Sequence, residues 1–133
     1  MCKLSRVETN FDTEVQIADI KKEYVENIIK TAPICPAIME IVLFGSVLEE
    51  RCTDDSDIDL LIVSNKQKSR LFRDRSYEQF KNKLFIDGNF EQNYDFIYLN
   101  HHDDINKKST SSFLFRDIKE KGQAIYRKAG IDG

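Results

Sequence analysis

The sequence has no long apolar run, no excess of basic charge and no abundance of cysteine. Its 133 residues carry 20 Lys and Arg against 23 Asp and Glu, which gives a net charge of −3. Tight non-specific binding to duplex DNA or RNA needs a basic surface, so strong nucleic-acid binding is not expected. No stretch approaches the ~18 apolar residues of a membrane span. The first residues are also too polar for the apolar centre of a signal peptide.

Cysteine, proline and glycine are all sparse. Cys2, Cys35 and Cys52 are an odd set without C-x-x-C spacing, so neither a disulfide framework nor a zinc site is expected, and a reducing cytoplasm fits best. Two prolines and five glycines exclude a low-complexity chain. We find no internal repeat or linker. The length then predicts one domain over residues 1–133.

A helix is predicted over Asp12–Lys30 from the spacing of its apolar residues. Thr13 followed by Gln16 resembles a capping box, and Pro33 and Pro36 would end the helix. Spacings of three and four residues separate Ile17, Ile20, Tyr24 and Ile28.

The rest of the chain alternates between strands and helices. Apolar segments predict strands at Ile38–Phe44, Asp57–Val63 and Tyr94–Leu99, with an edge strand at Ala124–Tyr126. Helices are predicted at Lys66–Leu84 and Ser112–Lys121. This alternation predicts an α/β or α+β fold, in which helices cover a sheet.

Four aspartates occupy six positions directly before the apolar run 60–63. In a strand, Asp57 and Asp59 would point to one face, while Ile58 and Leu60 would point to the other face and enter the core. Neighbouring carboxylates repel each other unless a cation lies between them. Mg²⁺ is bound by one or two carboxylates together with waters and substrate phosphates. Asp57 and Asp59 are therefore candidate metal ligands, and a polar turn before a strand is the alternative.

A Gly-Ser pair, Gly45 and Ser46, closes the first predicted strand of the sheet. Glycine lets a backbone approach a phosphate closely, and a helix starting at Ser46 would point N–H groups towards that phosphate. Most Gly-Ser pairs are only turns. Combined with a downstream Asp-x-Asp, however, the pair indicates a phosphate-binding turn that faces a metal site.

The order and spacing of these residues resemble a known signature. Gly45-Ser46, ten intervening residues and then Asp57-Ile58-Asp59 are similar to the GS-x10-DxD pattern of the DNA polymerase β-like nucleotidyltransferase superfamily. The chain looks most like the minimal nucleotidyltransferase domains of that superfamily, over most of its length. The segments that carry the resemblance are IVLFGS, SDIDLLIV, YDFIYL and FLFRDIKEKGQAIY. It implies the superfamily's fold, a small mixed sheet flanked by helices, with Asp95 as a third carboxylate.

The resemblance also implies a role for each matched residue. Gly45 and Ser46 would hold the β- and γ-phosphates of a nucleoside triphosphate, with ATP as the expected substrate. Asp57 and Asp59 would bind two Mg²⁺ ions. Asp95 would complete one metal site and help to deprotonate the incoming hydroxyl. That hydroxyl would attack the α-phosphorus in line, and pyrophosphate would leave.

Minimal domains of this kind are often paired with a helical HEPN-type toxin and act as its antitoxin, in some cases by adenylylating it. The resemblance therefore implies a HEPN-type partner protein. Two other functions stay open. The chain could neutralise a partner by binding without catalysis, or it could modify a small molecule such as an antibiotic, although such enzymes usually need an additional helical domain.

One departure from the family pattern stands beside the Gly-Ser pair. Family members commonly carry a small residue and then a glycine after this pair, whereas this chain has Val47-Leu48-Glu49-Glu50. The two glutamates add negative charge near the expected triphosphate site. We therefore expect an activity that is weak or that depends on a partner.

Overall fold

The computed structural model describes residues 3–101, 108 and 112–129, and its strands form two sheets. A hairpin pairs β1 (Leu4–Glu8) with β2 (Glu14–Ala18). The second sheet has four strands in the order β5-β4-β3-β6, namely β3 (Ile38–Phe44), β4 (Ile58–Ser64), β5 (Tyr94–Asn100) and β6 (Gln123–Arg127). The helices are α1 (Lys22–Thr31), α2 (Lys68–Leu71), α3 (Arg75–Asp87) and α4 (Phe113–Lys121).

The four-stranded sheet is mixed, as predicted from the sequence. β3 runs antiparallel to both β4 and β6, whereas β4 and β5 are parallel. Parallel neighbours need a long crossover, which here contains α2 and α3. The predicted positions of these four strands are confirmed to within one residue at each end. Within the described ranges, no helix combines the length and the apolar character needed to cross a membrane.

The predicted helix over Asp12–Lys30 is wrong in its first half, where β2 and a 3-10 turn precede α1. Val15 and Ile17 are buried, while Glu14 and Gln16 between them are exposed. That period of two is typical of a strand, and it competed with the helical spacing of the apolar residues further along. Pairing with β1 decided in favour of the strand, since it satisfies the backbone of β2.

The predicted helix over Lys66–Leu84 is broken into α2 and α3. Asp74 separates them, because its side chain accepts a hydrogen bond from the backbone N–H of Ser76 at 2.9 Å and thereby caps α3. The Nζ of Lys66 donates to the same carboxylate at 2.7 Å. The bonds from Lys66 and Ser76 lower the pKa of Asp74 to about 2.

The two faces of the four-stranded sheet are covered differently. On one face, Ile58, Leu60 and Ile62 pack in one cluster with Phe80 and Leu84 of α3. On the other face, a smaller cluster joins Leu61, Val63 and Leu99 to Ile118 of α4. Because side chains alternate along a strand, the odd-numbered positions of β4 and β5 share this second face. Residues 59 and 95 therefore lie on the side of the sheet where α4 packs.

Asp74→Ala should destabilise the fold at neutral pH, because the first turn of α3 loses its cap. We expect a loss of about 1 kcal/mol in the free energy of unfolding. The pKa of Asp74 is lower in the folded protein than its usual value, so this contribution is present above about pH 4 and disappears as the pH falls towards 2. Urea unfolding at pH 7 and at low pH would measure both effects.

Asp87→Ala is the matched control, because Asp87 stands at the other end of α3 in a half-exposed pair with Lys83. A carboxylate at a helix C-terminus gains little from the helix dipole, so the expected change is small. Equal losses in the two variants would contradict a capping role for Asp74.

Candidate functional site

The three candidate carboxylates are brought to one edge of the four-stranded sheet. Asp59 is the second residue of β4, and it pairs in register with Asp95 of β5 and with Phe44 of β3. Asp57 stands immediately before β4, two residues from Asp59. Neighbouring strands are ~4.8 Å apart, so residues in one register row are adjacent. The pairing of β4 with β5 thus places the backbone positions of Asp57, Asp59 and Asp95 close together, and their use as one metal site stays a prediction.

The charges of the three carboxylates act on one another. The pKa of Asp59 is raised to about 6. Burial is the largest cause, and the negative charges of Asp95 and Asp57 contribute the rest. Asp57 and Asp95 are exposed, whereas Asp59 is half-buried. A half-buried carboxylate with two like charges beside it is hard to ionise, so this edge of the sheet favours a bound cation.

The donor set fits Mg²⁺, although the side chains do not form a ready-made cage. Among the residues that the structure describes, no group of three or more His, Cys, Asp or Glu side chains is arranged so that it could hold a metal ion. Mg²⁺ does not need such a group, since it commonly takes one or two carboxylates and completes its shell with water and phosphate oxygens. Oxygen ligands on adjacent strands meet that requirement.

Gly45 follows Phe44 directly and lies against the side chain of Asp59. Its φ is +77°, a backbone conformation that other residues rarely adopt. A Cβ atom at this position would overlap with Oδ2 of Asp59, closer than real Cβ contacts come. The glycine therefore lets the turn and the carboxylate touch, which places the Gly-Ser pair and the aspartates in one site.

The turn itself is shorter than the sequence suggested. A helix starting at Ser46 would point N–H groups towards a phosphate, but Gly45–Leu48 forms only a 3-10 turn, closed by the N–H of Glu49 on the carbonyl of Ser46 at 2.9 Å. Glu49 is already extended, because the chain turns back there towards β4. The turn offers few N–H groups, and any phosphate contact would depend more on cations nearby.

A cavity of about 600 Å³ opens beside Gly45, between the hairpin, the 3-10 turn and α4. Gly45 is the one predicted site residue in its lining; the three carboxylates lie on the adjoining edge. The charged residues in the lining are Glu14, Glu49, Arg51, Asp117 and Lys121. The cavity lining has three acidic groups and two basic groups, so it repels anions weakly. An anion whose charge is neutralised by a metal ion would not be repelled.

The two cations of the cavity, Arg51 and Lys121, were missed from the sequence. Arg51 pairs with Glu49, so half of the Glu49-Glu50 charge is already compensated. Lys121 pairs with Asp117 across one helical turn at 3.5 Å. In each case an opposite charge two or four residues away is a signal of pairing, but the sequence does not reveal that both pairs line one cavity.

Comparison with known proteins identifies the family. Residues 23–129 match the family model described as polymerase beta, nucleotidyltransferase. The match spans most of the chain and includes the Gly-Ser turn and all three carboxylates. The chain therefore belongs to the polymerase beta nucleotidyltransferase family, and its mixed sheet with flanking helices is consistent with that fold. A search of curated proteins gave no match.

Gly45→Ala should disturb both the fold and the site, because its Cβ would displace the Asp59 carboxylate and its φ would be strained. We expect a loss of about 1–3 kcal/mol in the free energy of unfolding and a clear weakening of Mg²⁺·ATP binding. Chemical denaturation and calorimetric titration would measure these two effects.

Gly88→Ala is the matched glycine control. Its φ is −89°, and its nearest neighbour would be a ring carbon of Tyr24 at 3.3 Å, which can shift slightly. Unchanged Mg²⁺·ATP affinity in Gly45→Ala, with the protein folded, would reduce Gly45-Ser46 to an ordinary turn.

Asp59→Asn should stabilise the metal-free protein at neutral pH. The pKa of Asp59 is raised from 3.8 to about 6, so its ionisation costs stability as the pH rises through this range, and the whole cost is present above about pH 6. Allowing for solvent screening, we expect a gain of about 1 kcal/mol at pH 7.5 and little change below pH 4. Urea unfolding in EDTA at both pH values would test this, with Asp54→Asn in the preceding exposed loop as control. A loss of stability at pH 7.5 would contradict carboxylate repulsion at this site.

Proposed function

We propose that the protein transfers a nucleoside monophosphate, AMP from ATP, to a hydroxyl group of a partner protein. The observation that carries this proposal is the register row of Phe44, Asp59 and Asp95 at one edge of the sheet, together with Gly45, which follows Phe44 and lies against the Asp59 side chain. The family match supports nucleotidyl transfer as the class of reaction. The choice of ATP and of a protein acceptor is our proposal.

Each residue of the candidate site has a role in the proposed reaction. Asp57, Asp59 and Asp95 would hold two Mg²⁺ ions, which when bound supply positive charge to the triphosphate. Gly45 and Ser46 would receive the β- and γ-phosphates, because the missing side chain of Gly45 lets this turn lie directly against the Asp59 carboxylate. Asp95 is exposed, so it can accept the proton of the incoming hydroxyl.

The reaction itself forms one bond and breaks one bond. The acceptor oxygen attacks the α-phosphorus as its proton passes to Asp95, and the bond from the α-phosphorus to the bridging oxygen breaks. Pyrophosphate leaves with that electron pair. No covalent intermediate with the protein is needed, which agrees with an edge built from carboxylates rather than nucleophiles.

The acidic lining of the cavity supports a neutral acceptor. Glu14, Glu49 and Asp117 repel an anion such as an RNA end, whereas a Tyr or Ser hydroxyl of a protein carries no charge. An acceptor presented by a partner chain also needs no enclosing domain on this chain. A helical HEPN-type protein, as the resemblance implies, is the partner that we propose.

Incubation with Mg²⁺, radiolabelled ATP and the product of the neighbouring gene tests the proposal. Label from [α-³²P]ATP should appear on a hydroxyl side chain of the partner, and label from [γ-³²P]ATP should not, because pyrophosphate leaves. The Asp57→Asn, Asp59→Asn double variant should transfer none. Asp54→Asn, Asp55→Asn removes the same charge from the same loop and should retain transfer.

Two results would overturn this proposal in different ways. Label from [γ-³²P]ATP would indicate a kinase reaction instead. Tight binding of the two proteins without label, under conditions where ATP is bound, would indicate an antitoxin that neutralises its partner without catalysis.

A further inference from the structure

A buried lysine lies beneath the loop that carries the first carboxylate. Lys21 is only 1% exposed, although its side chain ends in an ammonium group. Its Nζ donates to the backbone carbonyl of Asp54 at 3.0 Å and to Oε1 of Gln92 at 2.6 Å. These partners are a peptide carbonyl and an amide, so the ammonium serves as a hydrogen-bond donor to neutral groups. Burying such a group is costly unless its bonds are made.

Gln92 extends these bonds to the starts of the two parallel strands, β4 and β5. It is 3% exposed, and its Nε2 donates to the carbonyls of Ser56 at 3.1 Å and of Asn93 at 2.6 Å. The carbonyl of Asn93 also accepts from the N–H of Ile58 at 3.1 Å. Lys21 and Gln92 thus tie the chain before β4 to the chain before β5; these bonds are called the Lys21–Gln92 network below.

This network lies immediately next to the carboxylates in the chain. Asp57 stands between Ser56 and Ile58, and both of these neighbours are held by it. Asp95 follows Asn93 by two residues. The loop before β4 is exposed at Thr53, Asp54 and Asp55, and the hydrogen bonds between Thr53 and Ser56 close it on itself, so they do not fix it relative to β5.

We propose that Lys21 and Gln92 are positioning residues, which hold Asp57 and Asp95 at the spacing needed to share a divalent cation. The inference rests on the proposed function, since it names what the carboxylates are positioned for. Lys21 lies outside the segment 23–129 that matches the family model, so the family match does not account for it. Its effect would be transmitted through backbone carbonyls rather than by contact with a ligand.

Positioning and simple electrostatics predict opposite results for Lys21→Met. The variant removes a positive charge bonded to the loop that carries Asp57, so electrostatics alone predicts tighter binding of a cation there. If the network positions the carboxylates, the same variant should bind the cation more weakly. Methionine is of similar length and fills the buried space without donating hydrogen bonds.

The test measures Mn²⁺ binding by electron paramagnetic resonance on the whole chain without nucleotide, because the Mn²⁺·ATP complex is an anion and would reverse the electrostatic expectation. We expect Lys21→Met to bind Mn²⁺ about tenfold more weakly than the wild type, which corresponds to ~1.4 kcal/mol. Lys22→Met, with the same charge change at the next, less buried position, should stay within twofold of the wild type. Unchanged or tighter binding in a folded Lys21→Met protein would overturn the proposal.

Gln92→Glu decides the matter if Lys21→Met does not fold. The new carboxylate can still accept from Lys21, but it cannot donate to the carbonyls of Ser56 and Asn93. It also adds negative charge, so electrostatics again predicts tighter Mn²⁺ binding. About fivefold weaker binding supports positioning, and tighter binding overturns it.

Amide hydrogen exchange separates this inference from the proposed function. If the wild type binds no Mn²⁺, either alone or with ATP, the proposed function fails. The network is then still tested by the exchange rate of the Ile58 amide, which should rise about tenfold in Lys21→Met and stay unchanged in Lys22→Met. Equal rates in these two variants would show that the network does not hold the start of β4.

Discussion

The repulsion among three carboxylates at one edge of a sheet is the constraint that the rest of the molecule accommodates. Asp59 is half-buried in the row that it shares with Asp95, and its pKa is raised by burial and by the charges of Asp95 and Asp57. A fold that needed only stability would place an apolar residue there. The carboxylates at the N-terminal ends of β4 and β5 instead lower the stability of the fold, and buried residues further along, such as Leu61 and Ile62, offset this loss.

Two features hold this edge in place although its charges oppose it. The first is the parallel pairing of β4 with β5, which continues in register from Ile58 to Ser64 and leaves no freedom to slide. The second is the Lys21–Gln92 network, which joins the loops before both strands. Gly45 completes the arrangement, since any larger residue would push the Asp59 carboxylate away. Strand pairing, hydrogen bonds and the close contact of Gly45 therefore surround the carboxylates, as expected of a site that must keep its geometry before a ligand binds.

The acidic surroundings of the site bear on the choice of acceptor. Arg51 and Lys121 each stand beside a carboxylate, so the cavity next to Gly45 offers few uncompensated positive charges. A triphosphate would depend on its metal ions for charge compensation, and a neutral hydroxyl would meet no repulsion. The departure from the family pattern at Glu49-Glu50 follows the 3-10 turn, which ends at Leu48, and it adds one carboxylate, that of Glu49, to the lining of the cavity.

The sequence by itself determined the strands of the four-stranded sheet, because short apolar runs bounded by Gly and Asp predict strands locally. It also determined the candidate site residues, because the Gly-Ser pair and the Asp-x-Asp motif are separated by a fixed number of residues in the chain. The first helix was misassigned from Asp12 to Lys21, since periods of two and of 3.6 overlap there and only pairing with β1 decides between them. The break at Asp74 was also missed, because capping depends on where the helix begins. Only the tertiary structure brought Lys21 to Gln92 and placed Arg51 and Lys121 in the lining of one cavity. Residues about 70 positions apart in the chain leave no periodic or spacing signal of such proximity, since the folded sheet alone determines which loops meet.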